Sequence, residues 1–437
     1  MSTTDERLRA EYVTDPAAAM SRLAAEDHFG EYVVYERGGE WVFAADPIGT
    51  VELDTDELRI TWAAETTAGP WAGTPAQVMN SALAELPMTG YNAYGWIGFE
   101  FCAWSLGATG HLNPGTVLAH LMVPRVEVRI DPSGAVWITG AGPAETATLT
   151  RTIARSQDCG LPQPYPVDVR IDTSGYHDRV ARAIDEIKSG QYQKVILSRK
   201  VDLPFAVDIP ATYRLGRAHN TPARSFLLKL GGLEAAGFSP ELVLSVDEDR
   251  MVNTEPLAGT RAFGLGAELD SAARADLVTD PKEIVEHALS VQTCFTEVGT
   301  VAEPGSTAVS DFMAVRERGS VQHLASTVRG RLAAGRTAWD ALDSIFPSVT
   351  ASGIPKRAGV DSVFRHDLSR GLYSGAVLTV SPTGALEAAL VLRAVYQDSG
   401  GAWLRAGAGV VAQSRPEREF EETCEKLGSV APYVVKA

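Results

Sequence analysis

The stretch SGYHDRVARAIDEIKSG, residues 174–190, followed closely by KVILSRKVDLPF, residues 194–205, decides the architecture of the larger part of the chain. At about 100° per residue, Tyr176, Val180, Ala183, Ile184 and Ile187 fall on one stripe, so the first segment predicts an amphipathic helix. Gly190 supplies its stop. The second segment reads as a strand whose start is nearly apolar on both faces, with Lys194, Ile196 and Ser198 sharing one of them. Helices and strands keep alternating to the end, through RSFLLKLGG, ELVLSVDED, PKEIVEHALSVQTCF, GLYSGAVLTVS, ALVLRAVY and AWLRAGAGVV. Hairpin-like strands mixed with long helices predict an α+β fold rather than a doubly wound sheet.

Upstream, EYVVYERGGEWVFAA, DELRITWAA, VLAHLMVPRVEVRI and GAVWITG are short β-like runs between Gly, Pro and Asp turns. GYNAYGWIGFEFCAW, residues 90–104, reads as one Gly- and aromatic-rich strand. The proline-rich QDCGLPQPYPVDVR, residues 157–170, is the best linker. The expected organisation is a β-rich part over 1–165 and a second part over 170–437, joined in one compact unit.

Composition narrows the function. The chain has 437 residues, 45% hydrophobic and 22% charged, an ordinary globular balance. No run of about 18 apolar residues is present, so no membrane span is expected. The polar, acidic MSTTDERLRAEYV does not resemble a signal peptide. The four cysteines are far apart and without CxxC spacing, which fits a reducing cytoplasm and no structural zinc. A net charge of −16 disfavours nucleic acid as a partner. It also demands local cations if the substrate is an anion. GxGxxG and Walker patterns are missing, so nucleotide binding has no support.

EREFEETCEKL, residues 417–427, concentrates five glutamates. Ser414 with Glu417 three residues on reads as a capping box, and Phe420, Cys424 and Leu427 form an apolar stripe. Glu419, Glu422 and Lys426 then share a separate arc, either a solvated face or the wall of a metal site. DPKEIVEHALSV offers a second pair. Asp280 caps, Pro281 follows and Glu283 stands at the third position, while Glu286 has no such structural explanation. Two helices each offering carboxylates three residues apart suit one hard cation such as Mg²⁺. Lys194 is either solvated or a partly desolvated base. Glu241, in GFSPELVLSV, is either a turn residue or a carboxylic acid kept protonated by an apolar pocket. LRAGAGVV, residues 404–411, suggests backbone approached closely by a ligand. Arg393 in the apolar ALVLRAVY calls for an anionic partner, and His323 reads as a satisfied core histidine.

From about 175 to 434 these motifs, in this order, resemble the chorismate-utilising family of anthranilate synthase component I, aminodeoxychorismate synthase, isochorismate synthase and salicylate synthase. The landmarks are KVILSR, SPELV, TEPLAGTRA, KEIVEH, VQHLASTVRG, FPSVTASGIPK, RGLYSGAV, LRAGAGVV and EREFEETCEKL, with YGWIGFEF in the first part. The resemblance is greatest to the siderophore-linked salicylate synthases of actinobacteria. It implies a four-layer α/β/β/α core with two packed β-sheets and Mg²⁺-dependent chemistry on chorismate. By the same resemblance Lys194 would activate water for attack at C2, and Glu241 would protonate the departing C4 hydroxyl. Glu286 and Glu422 would hold the ion, with Glu283 and Glu419 on its water shell. Tyr373, Arg393, Gly407, Gly409 and Lys426 would hold carboxylates. Gly259, Thr260, His323 and Thr350 would line the ring pocket.

Lys194 stands where the ammonia-using members usually have glutamine, and Ala258 replaces the lysine characteristic of aminodeoxychorismate synthase. Water is therefore the expected nucleophile. Salicylate synthase and isochorismate synthase remain, with isochorismate as intermediate or product. A chorismate-binding protein without turnover is a third reading, opposed by the intact Lys194, Glu241 and four helix glutamates. The resemblance further implies a cytoplasmic monomer with no amidotransferase subunit.

Overall fold

The computed structural model describes residues 13–26, 28–157, 160–319 and 321–437. The N-terminal segment 1–12 and Cys159 lie outside them. Two antiparallel sheets form the centre. In the first, neighbours run Gly353–Ile354, Lys194–Leu203, Gly401–Val410, Ala394–Asp398, Leu233–Ser239, Arg224–Leu230 and Tyr32–Arg37. It continues into the long strands Glu40–Asp54 and Val117–Ile130, with Val136–Thr139 beyond. In the second, Ala93–Ile97, Ala376–Val380, Leu386–Leu390, Leu242–Val246, Met251–Thr254 and Val321–Arg331 follow the other ends of those same long strands. Val321–Arg331 also pairs with Leu257–Ala262 and Ala308–Arg318. The long strands cross between sheets where Pro47 faces Pro124 and the register shifts. Proline has no N–H to give the ladder, so the sheet bends there.

Period-2 alternation sorts side chains into layers. On Tyr32–Arg37, Val33 and Tyr35 enter the core between the sheets, with Phe226, Leu228, Trp96, Met122, Val377 and Ala389. Tyr32 and Val34 face the other way, into a core shared with Met20, Leu23, Tyr213 and Leu404. A third core joins Leu121, Leu378 and Leu390 to Val291, Leu342 and Val360 of helices on the far side of the second sheet. Three apolar cores between helix, sheet, sheet and helix are the expected four layers. Strands of both sequence halves interleave, since Tyr32–Arg37 pairs with Arg224–Leu230 and Ala93–Ile97 with Ala376–Val380.

The helix at Tyr176–Lys188 buries Tyr176, Val180, Ala183, Ile184 and Ile187, as its pattern predicts, and Arg179 with them. Two expectations are corrected. The 90–104 segment is a strand only over Ala93–Ile97. After Gly98 it tightens into a 3₁₀ turn at Phe99–Ala103, because Glu100 turns inward to hold backbone N–H groups of Arg370 and Gly371. The helix Pro416–Leu427 is capped at Arg415 without a side-chain bond, so the Ser414–Glu417 capping box does not form. Ser414 Oγ instead accepts from Val411 N and holds the Glu419 carboxyl. No helix among the described residues is long and apolar enough to cross a membrane.

Candidate active site

Lys194 opens its strand fully inside the protein, and its Nζ lies 2.5 Å from Glu286 Oε1. Glycine at 409 on the neighbouring strand gives it its place: a Cβ there would stand 3.1 Å from Lys194 Cε and press the side chain aside. At Gly407 a Cβ would meet Leu197 O at 2.7 Å and Tyr373 Oη at 2.9 Å. The alternation of small residues in LRAGAGVV is thus a record of close approach by neighbouring side chains and backbone.

Glu241 is enclosed, 1% exposed. Its Oε1 accepts from Ser348 Oγ at 2.7 Å and Thr350 Oγ1 at 2.9 Å, while Oε2 has no hydrogen-bond partner. Burial pushes its carboxyl up to about 8 against the pull of the two hydroxyls and Lys194. At neutral pH it is a carboxylic acid, as a proton donor requires. Ser348 is a partner the sequence reading missed, although it belongs to the FPSVTASG landmark.

A second chain of contacts joins three of the residues expected to line the ring, Gly259, Thr260 and His323, to Arg393. His323 Nδ1 is 3.1 Å from both Gly259 O and Thr260 Oγ1, and its Nε2 is 3.0 Å from Arg393 Nη2. A guanidinium only donates, so Nε2 is the acceptor and Nδ1 carries the hydrogen. Burial first, and then Arg393, push the imidazole down to about 3, so it stays neutral. Arg393 holds a left-handed backbone at φ +51, a strain for a non-glycine residue. Its other donor reaches only Arg318 O, at 3.4 Å. Among the described residues no carboxylate lies within ion-pair distance of it, and burial with Arg318 nearby lowers its guanidinium to about 10. A half-buried cation with no carboxylate partner among the described residues could seat an anion.

The two glutamate pairs behave alike. Asp280 caps Pro281–Val301 by accepting from Lys282 N and Glu283 N. Burial opposes ionisation of Glu286, but Lys194 outweighs it and holds the carboxyl below the usual range. Glu422 is likewise held low by Lys426, whose Nζ lies 2.8 Å from Glu422 Oε1 and 2.8 Å from Gly407 O. The first member of each pair goes the other way. Burial and then Glu286 raise Glu283, and burial with Glu422 raises Glu419. Glu419 is buried and Glu422 and Lys426 are half-buried beside the strand Gly401–Val410, while Glu421 and Glu425 pair with Arg170 and Arg418 on another side of the helix. Within each helix one carboxylate raises its neighbour, and Glu286 also acts on Glu422 of the other helix, an arrangement that fits a divalent cation with oxygen ligands. No three His, Cys, Asp or Glu side chains converge as a ready cage among the described residues. The reason is visible: Glu286 and Glu422 each lean onto a lysine.

Helix Pro281–Val301 packs closely at Gly259, where a Cβ would stand 3.0 Å from Glu283 Oε2. Arg261 was also missed. It bonds Asp276, Asp280 and Glu283 and so ties this helix to the pocket strand. A surface depression of about 510 Å³, lined by Phe205, Glu234, Gln397 and Asp398 among others, includes none of these residues.

Comparison with known proteins gives the family. The family model for chorismate binding enzymes matches residues 30–432. A salicylate synthase of Mycolicibacterium paratuberculosis is 51% identical over 422 residues, covering 96% of this chain and 93% of that protein. Anthranilate synthase component 1 of Streptomyces coelicolor is 39% identical over 264 residues, 60% of this chain and 52% of its own. Among solved structures, anthranilate synthase component I of Streptococcus pneumoniae superposes with a TM-score of 0.75 at 24% identity, over 90% of this chain and 92% of that one. The menaquinone-specific isochorismate synthase of Escherichia coli gives 0.72 at 20%, over 95% and 91%. These likenesses share the fold described above. With its family's model matched over nearly its whole length, the chain belongs to the chorismate-binding enzymes.

Proposed function

We propose that this enzyme is a Mg²⁺-dependent salicylate synthase. The observation that carries the chemistry is the pairing of an inward Lys194 with a Glu241 carboxyl that is neutral at pH 7. Lys194, as the neutral amine once its proton has passed to solvent by way of Glu286, takes a proton from water as that oxygen bonds C2 of chorismate, and Glu241 gives a proton to the C4 hydroxyl, which leaves as water. The product of that step is isochorismate. The C2 hydrogen then passes to the enolpyruvyl methylene as the C3–O bond breaks, releasing pyruvate and leaving aromatic salicylate. No further acid or base is needed for that transfer, only a fixed conformer. Arg393 and Tyr373 supply it by holding the pyruvyl carboxylate, and Gly407, Gly409 and Lys426 orient the ring carboxylate. Gly259, Thr260, His323 and Thr350 bound the ring. Glu286 and Glu422 would hold Mg²⁺, with Glu283 and Glu419 on its water shell, and the ion would supply positive charge to the ring carboxylate. The relative matched over nearly its full length supports the two-step outcome. On the same reading the enzyme acts as a cytoplasmic monomer without an amidotransferase and serves siderophore synthesis.

The test is a time course with chorismate and Mg²⁺, following salicylate fluorescence, pyruvate and chromatographed isochorismate together. Salicylate and pyruvate are expected in equal amounts, with isochorismate rising and decaying. A plateau of isochorismate without pyruvate reassigns the enzyme to isochorismate synthase.

A further inference from the structure

Behind the carboxylate seat lies a charged cluster that this scheme leaves unused. Asp367 accepts from Arg179 Nη1 at 2.6 Å and Arg370 Nη2 at 2.9 Å, and Arg405 Nη2 stands 3.7 Å away. Ser198 gives the same carboxylate both its N–H and its Oγ–H. The second carboxylate, Glu100, is occupied by Ser369 Oγ and the backbone N–H groups of Arg370 and Gly371. Three guanidiniums thus meet a single carboxylate, Asp367, and the cluster around it carries an excess of positive charge. The Asp367, Arg370 and Arg405 side chains are 1%, 1% and 3% exposed. Desolvating such groups is costly, and apolar packing would serve stability as well. Stability alone does not account for them.

Their geometry points to the substrate site. The guanidinium carbons of Arg405 and Arg370 lie over the Tyr373 ring, 5.2 and 5.7 Å from its centroid. Arg370 Nη2 donates to Ile196 O at 2.6 Å, on the strand that carries Lys194. Arg405 shares its strand with Gly407, the residue beside Tyr373 Oη. We infer that Arg370 and Arg405, held in place by Asp367, are positioning residues that grip the Tyr373 ring and lend positive potential to the carboxylate seat at Gly407. Cations over an aromatic face fix its plane. Burial raises the Tyr373 phenol, and Arg370, Lys426 and Arg405 oppose that rise, so their charges reach the ring. The inference rests on the proposed placement of chorismate at Tyr373.

A double-mutant cycle tests it, with kcat and KM for chorismate consumption and thermal unfolding measured on every variant. Arg405→Lys keeps a charge but loses the planar fork that spans Ser198 Oγ, Ser369 O and Leu368 O. It is expected to raise KM about tenfold in the parent and less than about twofold in a Tyr373→Leu background. An equal rise in both backgrounds overturns the inference, because the cluster would then act without the ring. An unchanged KM in Tyr373→Leu alone overturns the substrate placement instead. Should Arg405→Lys fail to fold, Arg370→Lys runs the same cycle, with the same rise in KM expected and the same equal rise overturning the inference.

Discussion

Glu241→Gln separates two consequences of a single burial. In the folded protein the Glu241 carboxyl loses its proton only near about 8, whereas in an unfolded chain it does so near about 4.3. The folded value is the raised one. Its contribution to stability is therefore intact below about pH 4 and is lost as the pH climbs toward 8. At about 1.36 kcal/mol per pH unit the loss reaches about 4 kcal/mol by pH 7.5. Glutamine keeps the acceptor for Ser348 and Thr350 but cannot ionise. It also sets an additional N–H against the wall where Oε2 finds no partner, at about 1–3 kcal/mol. The variant should be less stable than the parent at pH 4 and more stable at pH 7.5, with the two curves crossing between. Turnover of chorismate at pH 7.5 should fall about 10²–10⁴-fold. Thermal unfolding at several pH values beside the turnover assay measures both. A stability difference of constant size and sign across that range refutes the account of the burial, and parental turnover refutes the role as acid.

Three other variants probe the rest of the site. Gly409→Ala places a methyl 3.1 Å from Lys194 Cε without backbone strain, so kcat should drop at least about tenfold while the unfolding temperature moves little. Arg393→Met removes a half-buried cation that no carboxylate pairs and whose guanidinium is lowered, so thermal stability should change little while KM for chorismate rises steeply; a loss of stability with KM unchanged would contradict the anion-seat reading. Glu422→Gln should cut turnover by orders of magnitude with the fold retained, as should EDTA, and added Mg²⁺ should restore only the parent. Full activity of the glutamine variant at low Mg²⁺ would remove Glu422 from the ligand set.

Local periodicity carried much of this structure. The Tyr176–Lys188 helix, the Asp280 cap and the shared arc of Glu419, Glu422 and Lys426 all follow from residue spacing on a helix. The strand Val117–Ile130 coincides with the run read as β. Short helices in the first half, such as Pro16–Ala25 and Pro75–Ala84, were hidden because alanine-rich turns give little amphipathic contrast. What spacing cannot show is contact between distant segments. Ser348 meets Glu241 across 107 positions, Arg261 meets Glu283 across 22, and Asp367 gathers arginines from three separate segments. Competing local bonds also displaced an expected one, as when Val411 N and Glu419 took Ser414 from the capping box.

The central claim is that Lys194 delivers a water molecule to C2 while Glu241 expels the C4 hydroxyl. Running the reaction from unlabelled chorismate in H₂¹⁸O and weighing the salicylate tests this directly, because the phenolic oxygen of salicylate is the atom that arrived at C2. The account predicts one ¹⁸O in each salicylate formed, and loss of that product in Lys194→Ala. Salicylate formed without label would mean that its hydroxyl was already on the substrate, and the assignment of Lys194 as the base for water would be wrong.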